Sequence, residues 1–211
     1  MRCNMINDLI GRYPVLEECR EGIEKAKDAI IDCYKKGGKL LLCGNGGSAA
    51  DCDHIVGELM KGFLSLRPLD DEYKAELKAA NPELEDDMLS KLQGALPAIA
   101  LTGHTGLTTA YSNDVDPSLI FAQQLFGIGN CGDVFIGITT SGNSCNVVKA
   151  APLAKALGIT VIGLTGQKGG KLREIADVCI CVPETETFKV QELHLPVYHY
   201  LCASAENHFF G

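Results

Sequence analysis

Five short apolar runs, each followed by a polar turn or a helical stretch, constrain this chain more than any other feature. They are Lys39–Cys43, Pro97–Leu101, Asp133–Ile138, Ile159–Leu164 and Val178–Val182. Continuous apolar runs of this length, alternating with helical periodicity, specify a parallel sheet buried on both faces. The expected fold is therefore α/β, a three-layer αβα arrangement with a five-stranded, mostly parallel sheet and helices on both faces. A helix is read over Leu9–Lys36 from the spacing of Leu16, Ile23, Ala26, Ala29, Ile30 and Tyr34, and Gly37-Gly38 ends it. Further helices are read from Ser48 to about Gly62, up to Phe126, through Leu157 and from about Thr187. With 211 residues the chain is read as a single domain over 1–211.

One stretch breaks the alternation. Residues 64–94 carry eight acidic and four basic residues, half of the chain's net charge of −8, with Pro68 and Pro82 punctuating two weak amphipathic helices. It reads as an acidic helical insertion. Two roles are open to it, a solvated surface excursion or a cap over a neighbouring subunit's pocket. The acidic balance leaves no basic footprint for nucleic acid or an anionic membrane. No run of ~18 apolar residues exists to span a bilayer, and the N-terminus lacks a signal core. Ten cysteines, mostly in apolar runs, fall short of a disulfide scaffold, and Cys179-Val-Cys181 is too closely spaced for a zinc knuckle. Reduced thiols in a cytoplasmic protein are expected.

The turns after the first, third and fourth strands are rich in Gly, Ser, Thr and Asn, and lie where open α/β sheets place ligands. Gly44-Asn45-Gly46-Gly47-Ser48-Ala49 has the G-x-G-x-x-A spacing of a dinucleotide site, but no strand ending in an acidic residue follows ~20 positions on. The P-loop lysine is also missing, so no nucleotide cofactor is expected. Backbone N–H groups, a helix N-terminus and neutral donors suit a smaller anion, such as a phosphate on a hydroxyl-rich molecule. Asn45 and Ser48 contribute on the first turn; Thr139, Ser141 and Ser144 repeat the pattern on the third. The plainer reading is that Ser48 and Ser144 cap their helices, which is expected in any case.

His54 and Glu58 share a helix face at i, i+4, and Gln191, Leu195 and His199 share one in the last helix. Pro196 should kink that helix and free the carbonyl of Glu192. Such a set suits a metal, or an acid and a base straddling a substrate. His194 and His208 are read as surface or interface residues.

Four motifs in order, Cys43-Gly-Asn-Gly-Gly-Ser48 with Asp51, His54 and Glu58, then Ser112-Asn113-Asp114, then Thr140-Ser-Gly-Asn-Ser144, then Gln191, His194 and His199, resemble the phosphoheptose isomerase family of sugar-isomerase (SIS) domain proteins. The resemblance runs from about Asp8 to the C-terminus, skipping 64–94. It implies an SIS fold, a cytoplasmic homotetramer with sites at subunit interfaces, and interconversion of sedoheptulose 7-phosphate with a D-glycero-D-manno-heptose 7-phosphate. By the same resemblance Glu58 is the base and His199 its partner acid/base. Ser48, Thr139, Ser141 and Ser144 hold phosphate. Asn45, Asp114 and Gln191 bind sugar hydroxyls, with Gly46, Gly47, Asn113 and Thr140 in the same substrate site. One zinc per subunit, where bound, is held by His54, Glu58, Gln191 and His199. Four features depart from the family pattern: Phe188 stands for an Asp, His104 for an acidic residue, Thr139 for Ser, and Lys61-Gly62 lacks an Arg. A non-catalytic SIS protein that binds a phosphosugar or a partner is the other reading, against which Glu58, Gln191 and His199 speak.

Overall fold

The computed structural model describes residues 5–211. Its strands are β1 (Leu40–Cys43), β2 (Ala98–Ala100), β3 (Val134–Thr139), β4 (Thr160–Thr165) and β5 (Val178–Cys181), all parallel, in the order β2-β1-β3-β4-β5. The helices are α1 (Met5–Arg12), α2 (Arg20–Lys35), α3 (Gly47–Met60), α4 (Asp71–Ala80), α5 (Asp86–Lys91), α6 (Thr105–Asp114), α7 (Ile120–Ile128), α8 (Cys145–Ala156), α9 (Gly170–Ile175) and α10 (Thr187–Phe210).

Side-chain alternation along the strands builds two cores. Leu40, Leu42, Ile136, Ile138, Ile162 and Ile180 pack with α2, α3 and α10 on one face. Leu41, Cys43, Phe135 and Val161 pack with α7, α8 and Leu172 of α9 on the other. The strand order changes direction at β1/β3, the topological switch point where such sheets open a crevice beyond their carboxyl ends.

The helix expected over Leu9–Lys36 is instead three pieces, α1, a 3₁₀ turn (Pro14–Cys19) and α2. Pro14 is the cause. It has no N–H to continue α1, but its fixed φ suits the first position of the next element. Leu16 and Ile23 are both fully buried, so a common apolar face runs across the break and imitates one helix.

Within 64–94, α4 buries none of its residues, as a solvated excursion would. Its two ends are anchored, however. Leu89 is buried, Pro68 pairs with Gln93, and Arg67, one of the four basic residues of this stretch, is buried against Glu206.

Candidate functional site

The two hydroxyl-rich turns meet at the β1/β3 crevice. Asn45, after β1, and Asn146, in the first turn of α8, exchange two amide hydrogen bonds of 2.9 Å each. Asn146 was not singled out from sequence; the only signal was an amide one turn into a helix that follows a hydroxyl cluster. Thr139 and Ser144 hydroxyls lie 2.8 Å apart, and the Ser141 hydroxyl accepts from Asn143 N–H at 3.2 Å. Thr140 lends its carbonyl to Gly166 N–H at 3.0 Å.

Neither serine caps its helix. Ser144 stands at the N-cap of α8 without a side-chain cap bond, its hydroxyl being turned to Thr139. Ser48 lies inside α3, where Gly46 is the N-cap at φ +55°, and is buried. The first N–H groups of α3 thus lack the side-chain partners that commonly satisfy them, whereas in α8 the Val147 N–H is taken by the Asn146 side-chain oxygen at 3.0 Å. Asn113 and Asp114, bonded to each other at 2.8 Å, sit at the exposed end of α6, and among the described residues no hydrogen bond joins them to either turn.

The helices α3 and α10 lie side by side and run in the same direction. Gly47 faces Gln191, and two turns on His54 faces Tyr198 and His199. A Cβ on Gly47 would stand 2.5 Å from the Gln191 amide nitrogen, so glycine here lets the final helix approach the anion turn. The helix α10 continues through Pro196 without interruption.

His54 is the hub of the ionisable cluster. Its Nε2 lies 3.2 Å from Glu58 Oε1 and 3.5 Å from His199 Nε2, and its Nδ1 lies 3.0 Å from the Tyr198 hydroxyl. That hydroxyl donates to Asp51 Oδ1 at 3.3 Å. The network therefore assigns the tautomer: Nδ1–H donates to the Tyr198 oxygen, and the Nε2 lone pair faces Glu58 and His199. Burial raises the Asp51 carboxyl, against hydrogen bonding from Tyr198. Burial and the neighbouring His54 lower His199, opposed by Glu58. Lys61 Nζ reaches Glu58 Oε2 at 3.4 Å. His199 also borders a cavity of about 650 Å³ between α1, residues 63–65 and α10, lined in part by Leu9, Tyr13, Phe63 and Phe210.

The spacing around His54 compares with the ~3.3 Å edge of a tetrahedron of ligands at ~2.0–2.1 Å from zinc. A lone pair of imidazole directed at a carboxylate needs a proton or a cation between them. The donor set thus suits a metal, although no cluster of three His, Cys, Asp or Glu among the described residues is closed around one point. No hydrogen bond among the described residues joins Gln191 to the other three.

Arg67 was also missed. Its guanidinium bonds the carbonyls of Leu59 (2.7 Å) and Glu58 (3.0 Å), and its Nε bonds Glu206 Oε1 (2.7 Å). Glu206 further accepts from Phe63 and Leu64 N–H groups at 2.8 and 2.7 Å. Arg67 thereby closes the C-terminal end of the helix that carries Glu58. His194, read as a surface or interface residue, is fully buried because it faces the β4 side of α10; burial holds its imidazole down to about 4. Phe188 is exposed, and His104 Nδ1 lies 2.5 Å from Gln124 Oε1.

The SIS domain family matches residues 6–95 and 87–166. The phosphoheptose isomerase of Aneurinibacillus thermoaerophilus is 40% identical over 194 residues, 92% of this chain and 85% of that protein. That of Burkholderia pseudomallei is 40% identical over 189 residues, 90% of this chain and 83% of its own. The chain belongs to the phosphoheptose isomerase family of SIS-domain proteins. Solved phosphoheptose isomerases from Neisseria gonorrhoeae and Francisella tularensis superpose with TM-scores of 0.74 and 0.76. Each is 32% identical; they cover 95% and 93% of this chain, and 94% and 91% of their own. As a member of this family the protein is an enzyme, an isomerase. The five parallel strands found here agree with the SIS fold expected from sequence. Among the described residues, no helix is long and apolar enough to cross a membrane, and the nine described cysteines are free thiols.

Proposed function

We propose that this phosphosugar isomerase interconverts sedoheptulose 7-phosphate and D-glycero-D-manno-heptose 7-phosphate by proton transfer through an enediol. The observation that carries the reading is the chain of contacts from Glu58 through His54 to His199, on two helices whose N-terminal ends border the hydroxyl-rich turns.

The dimensions favour a long substrate. Glu58 stands eleven residues beyond Gly47, roughly 16 Å along the axis, and its side chain leans back toward the N-terminus. The carboxylate is thus on the order of 10 Å from the anion turn. An extended seven-carbon sugar, six C–C bonds of ~1.5 Å plus a phosphate ester, covers a similar distance. Phosphate on the Ser48, Thr139, Ser141 and Ser144 side would leave C1 and C2 near Glu58.

There Glu58 takes the proton from the carbon next to the carbonyl and returns it to the neighbouring carbon. His199, its imidazole held toward the neutral form, exchanges a proton with the carbonyl oxygen. Such a carbon acid is weak, so carboxylate and electrophile must act together. His54, Glu58 and His199 would hold a zinc ion, with Gln191 as the fourth family position. Zinc, when bound, supplies Lewis-acid polarisation of the sugar oxygens. Asn45, Asp114 and Gln191 orient the hydroxyls, and a tetramer with sites shared between subunits, in the cytoplasm, completes the reading.

Incubation with sedoheptulose 7-phosphate, followed by NMR with zinc added and after chelation, tests the proposal. Formation of the aldose is expected. Turnover of shorter ketose phosphates in its place would overturn the seven-carbon assignment, and no turnover of any would overturn the mechanism.

A further inference from the structure

Cys179 and Cys181 are not needed for the isomerase reading, and their surroundings differ from those of the other thiols. They stand at i, i+2 on β5, so both side chains lie on one face of the strand. Their sulfurs are 3.6 Å apart, and the Thr165 hydroxyl lies 3.4 Å from Cys181 Sγ and 3.8 Å from Cys179 Sγ. Both are half-buried, whereas Cys19, Cys33, Cys43, Cys52 and Cys202 are sealed in the core. Cys131 and Cys145 are exposed.

We propose that Cys179 and Cys181 form a reversible redox-modification site, a dithiol that a hydroperoxide converts to an intrastrand disulfide. The Cys181 sulfur attacks the terminal peroxide oxygen and the O–O bond breaks, releasing an alcohol, or water from hydrogen peroxide. The Cys179 sulfur then displaces hydroxide from the resulting sulfenic acid, forming the S–S bond and a molecule of water. Two thiols are oxidised by two electrons and one peroxide is reduced. A dithiol reductant reverses the step by exchange.

Local chemistry assigns the order of events. Either S–H can donate to the other sulfur, but the Thr165 hydroxyl stands nearer Cys181 (3.4 Å) than Cys179 (3.8 Å), so donation from Cys179 and Thr165, with the charge of Arg173 on α9, favours the thiolate on Cys181. The attacking thiolate and the resolving thiol are thereby distinguished.

The strand sets the strain. Two strand rises separate the Cα atoms by ~6.4–6.8 Å, the long end of the range a disulfide spans. The sulfurs must close to ~2.0 Å, so β5 has to contract. It can do so because it is an edge strand, hydrogen-bonded on one side to β4. A strained disulfide is easily reduced, as a reversible modification requires.

Contraction would be felt at the anion turn. Cys181 pairs with Thr165, and Thr165 pairs with Thr139, a single row across three strands at their carboxyl ends. The effect on turnover rests on the function proposed above; formation of the disulfide does not.

Trypsin releases both cysteines in one peptide, Glu174–Lys189, since Arg173 and Lys189 flank it and no Lys or Arg lies between them. The intact protein is exposed to stoichiometric hydrogen peroxide, alkylated and digested. The expected result is a peptide lighter by two hydrogens, restored by dithiothreitol, at doses that leave Cys131 and Cys145 alkylatable. In Cys179→Ser the expected product is a dimedone adduct on Cys181. Oxidation of Cys131 and Cys145 with the 174–189 peptide unchanged would overturn the proposal, as would a wild-type peptide that gains oxygen without losing hydrogen. Where phosphosugar turnover is measurable, oxidation should raise KM several-fold in wild type and leave the Cys179→Ser/Cys181→Ser double variant unaffected. An oxidised peptide with unchanged KM would leave the chemical site intact and remove only its link to the anion turn.

Discussion

Single side chains would decide the chemistry proposed at Glu58. Removing its charge without changing its shape, as in Glu58→Gln, deletes the proton acceptor and leaves the hydrogen-bonding outline. The expected loss is 10²–10⁴-fold in kcat, the usual worth of a positioned base, with little change in KM. A coupled assay of aldose formation measures it, and a variant within threefold of wild type would place the base elsewhere. Arg67 acts on the same residue from behind, through the carbonyls of Glu58 and Leu59 and through buried Glu206. Arg67→Met leaves the Glu206 carboxylate buried with only two backbone N–H partners. Breaking such a pair costs about 3–5 kcal/mol, to be read from urea midpoints. Activity of the surviving folded fraction should also fall, because the last turn of α3 loses its clamp.

At the scale of elements, the pairing of α3 with α10 carries the proposed site and Gly47 tests it, while Gly142 tests the packing of the turn after β3 on the turn after β4. Gly47→Ala places a methyl against the tip of Gln191, a flexible side chain that can swing away. Stability should hold within about 1 kcal/mol of wild type, while KM for the sugar phosphate rises. Gly142→Ala meets backbone instead, the carbonyl of Gly169, at φ +68°. Nothing there can swing, and thermal melting should show a loss of at least 1–2 kcal/mol. These elements were largely legible in the sequence. Unbroken apolar runs such as Leu40–Cys43 and Val134–Thr139 can be satisfied only in a sheet covered on both faces, and the glycine turns mark their carboxyl ends. The i, i+4 and i, i+8 spacings placed His54 with Glu58 and Gln191 with His199, each pair on one helix face. What stayed hidden depends on partners distant in sequence. Arg67 and Glu206 are 139 positions apart, and nothing local marks either as buried. Pro14 hid behind an apolar stripe that runs across the break it causes. Ser144 has the residue type and position of a cap, and only the nearby Thr139 hydroxyl diverts it.

The whole molecule's response to acid depends on a residue read from the sequence as a surface or interface one. His194 is fully buried, and among the described residues neither ring nitrogen has a well-formed hydrogen bond, the Thr165 backbone only partly opposing the effect of burial. Desolvation, the dominant cause, brings its pKa from 6.5 to about 4. Between those values the unfolded chain binds a proton that the folded chain refuses. Stability must therefore fall as pH drops from ~6.5 toward ~4, with no further loss from this group below that. At ~1.4 kcal/mol per pH unit, the full cost is on the order of 3 kcal/mol, of which roughly 2 is already lost at pH 5. Buried carboxylates such as Glu206, held below their ordinary range by Phe63, Leu64 and Arg67, destabilise the fold only at lower pH, as they are protonated. His199 shifts in the same direction as His194 but is partly solvated, so its share is smaller. Comparing wild type with His194→Leu isolates the buried ring, because every other group is common to both. Urea midpoints at pH 7.5 and 5 should separate for wild type by the larger amount, with the variant keeping most of its stability at pH 5. Equal separations in the two proteins would mean that His194 is hydrated or paired in solution, and that the β4 side of α10 opens to water.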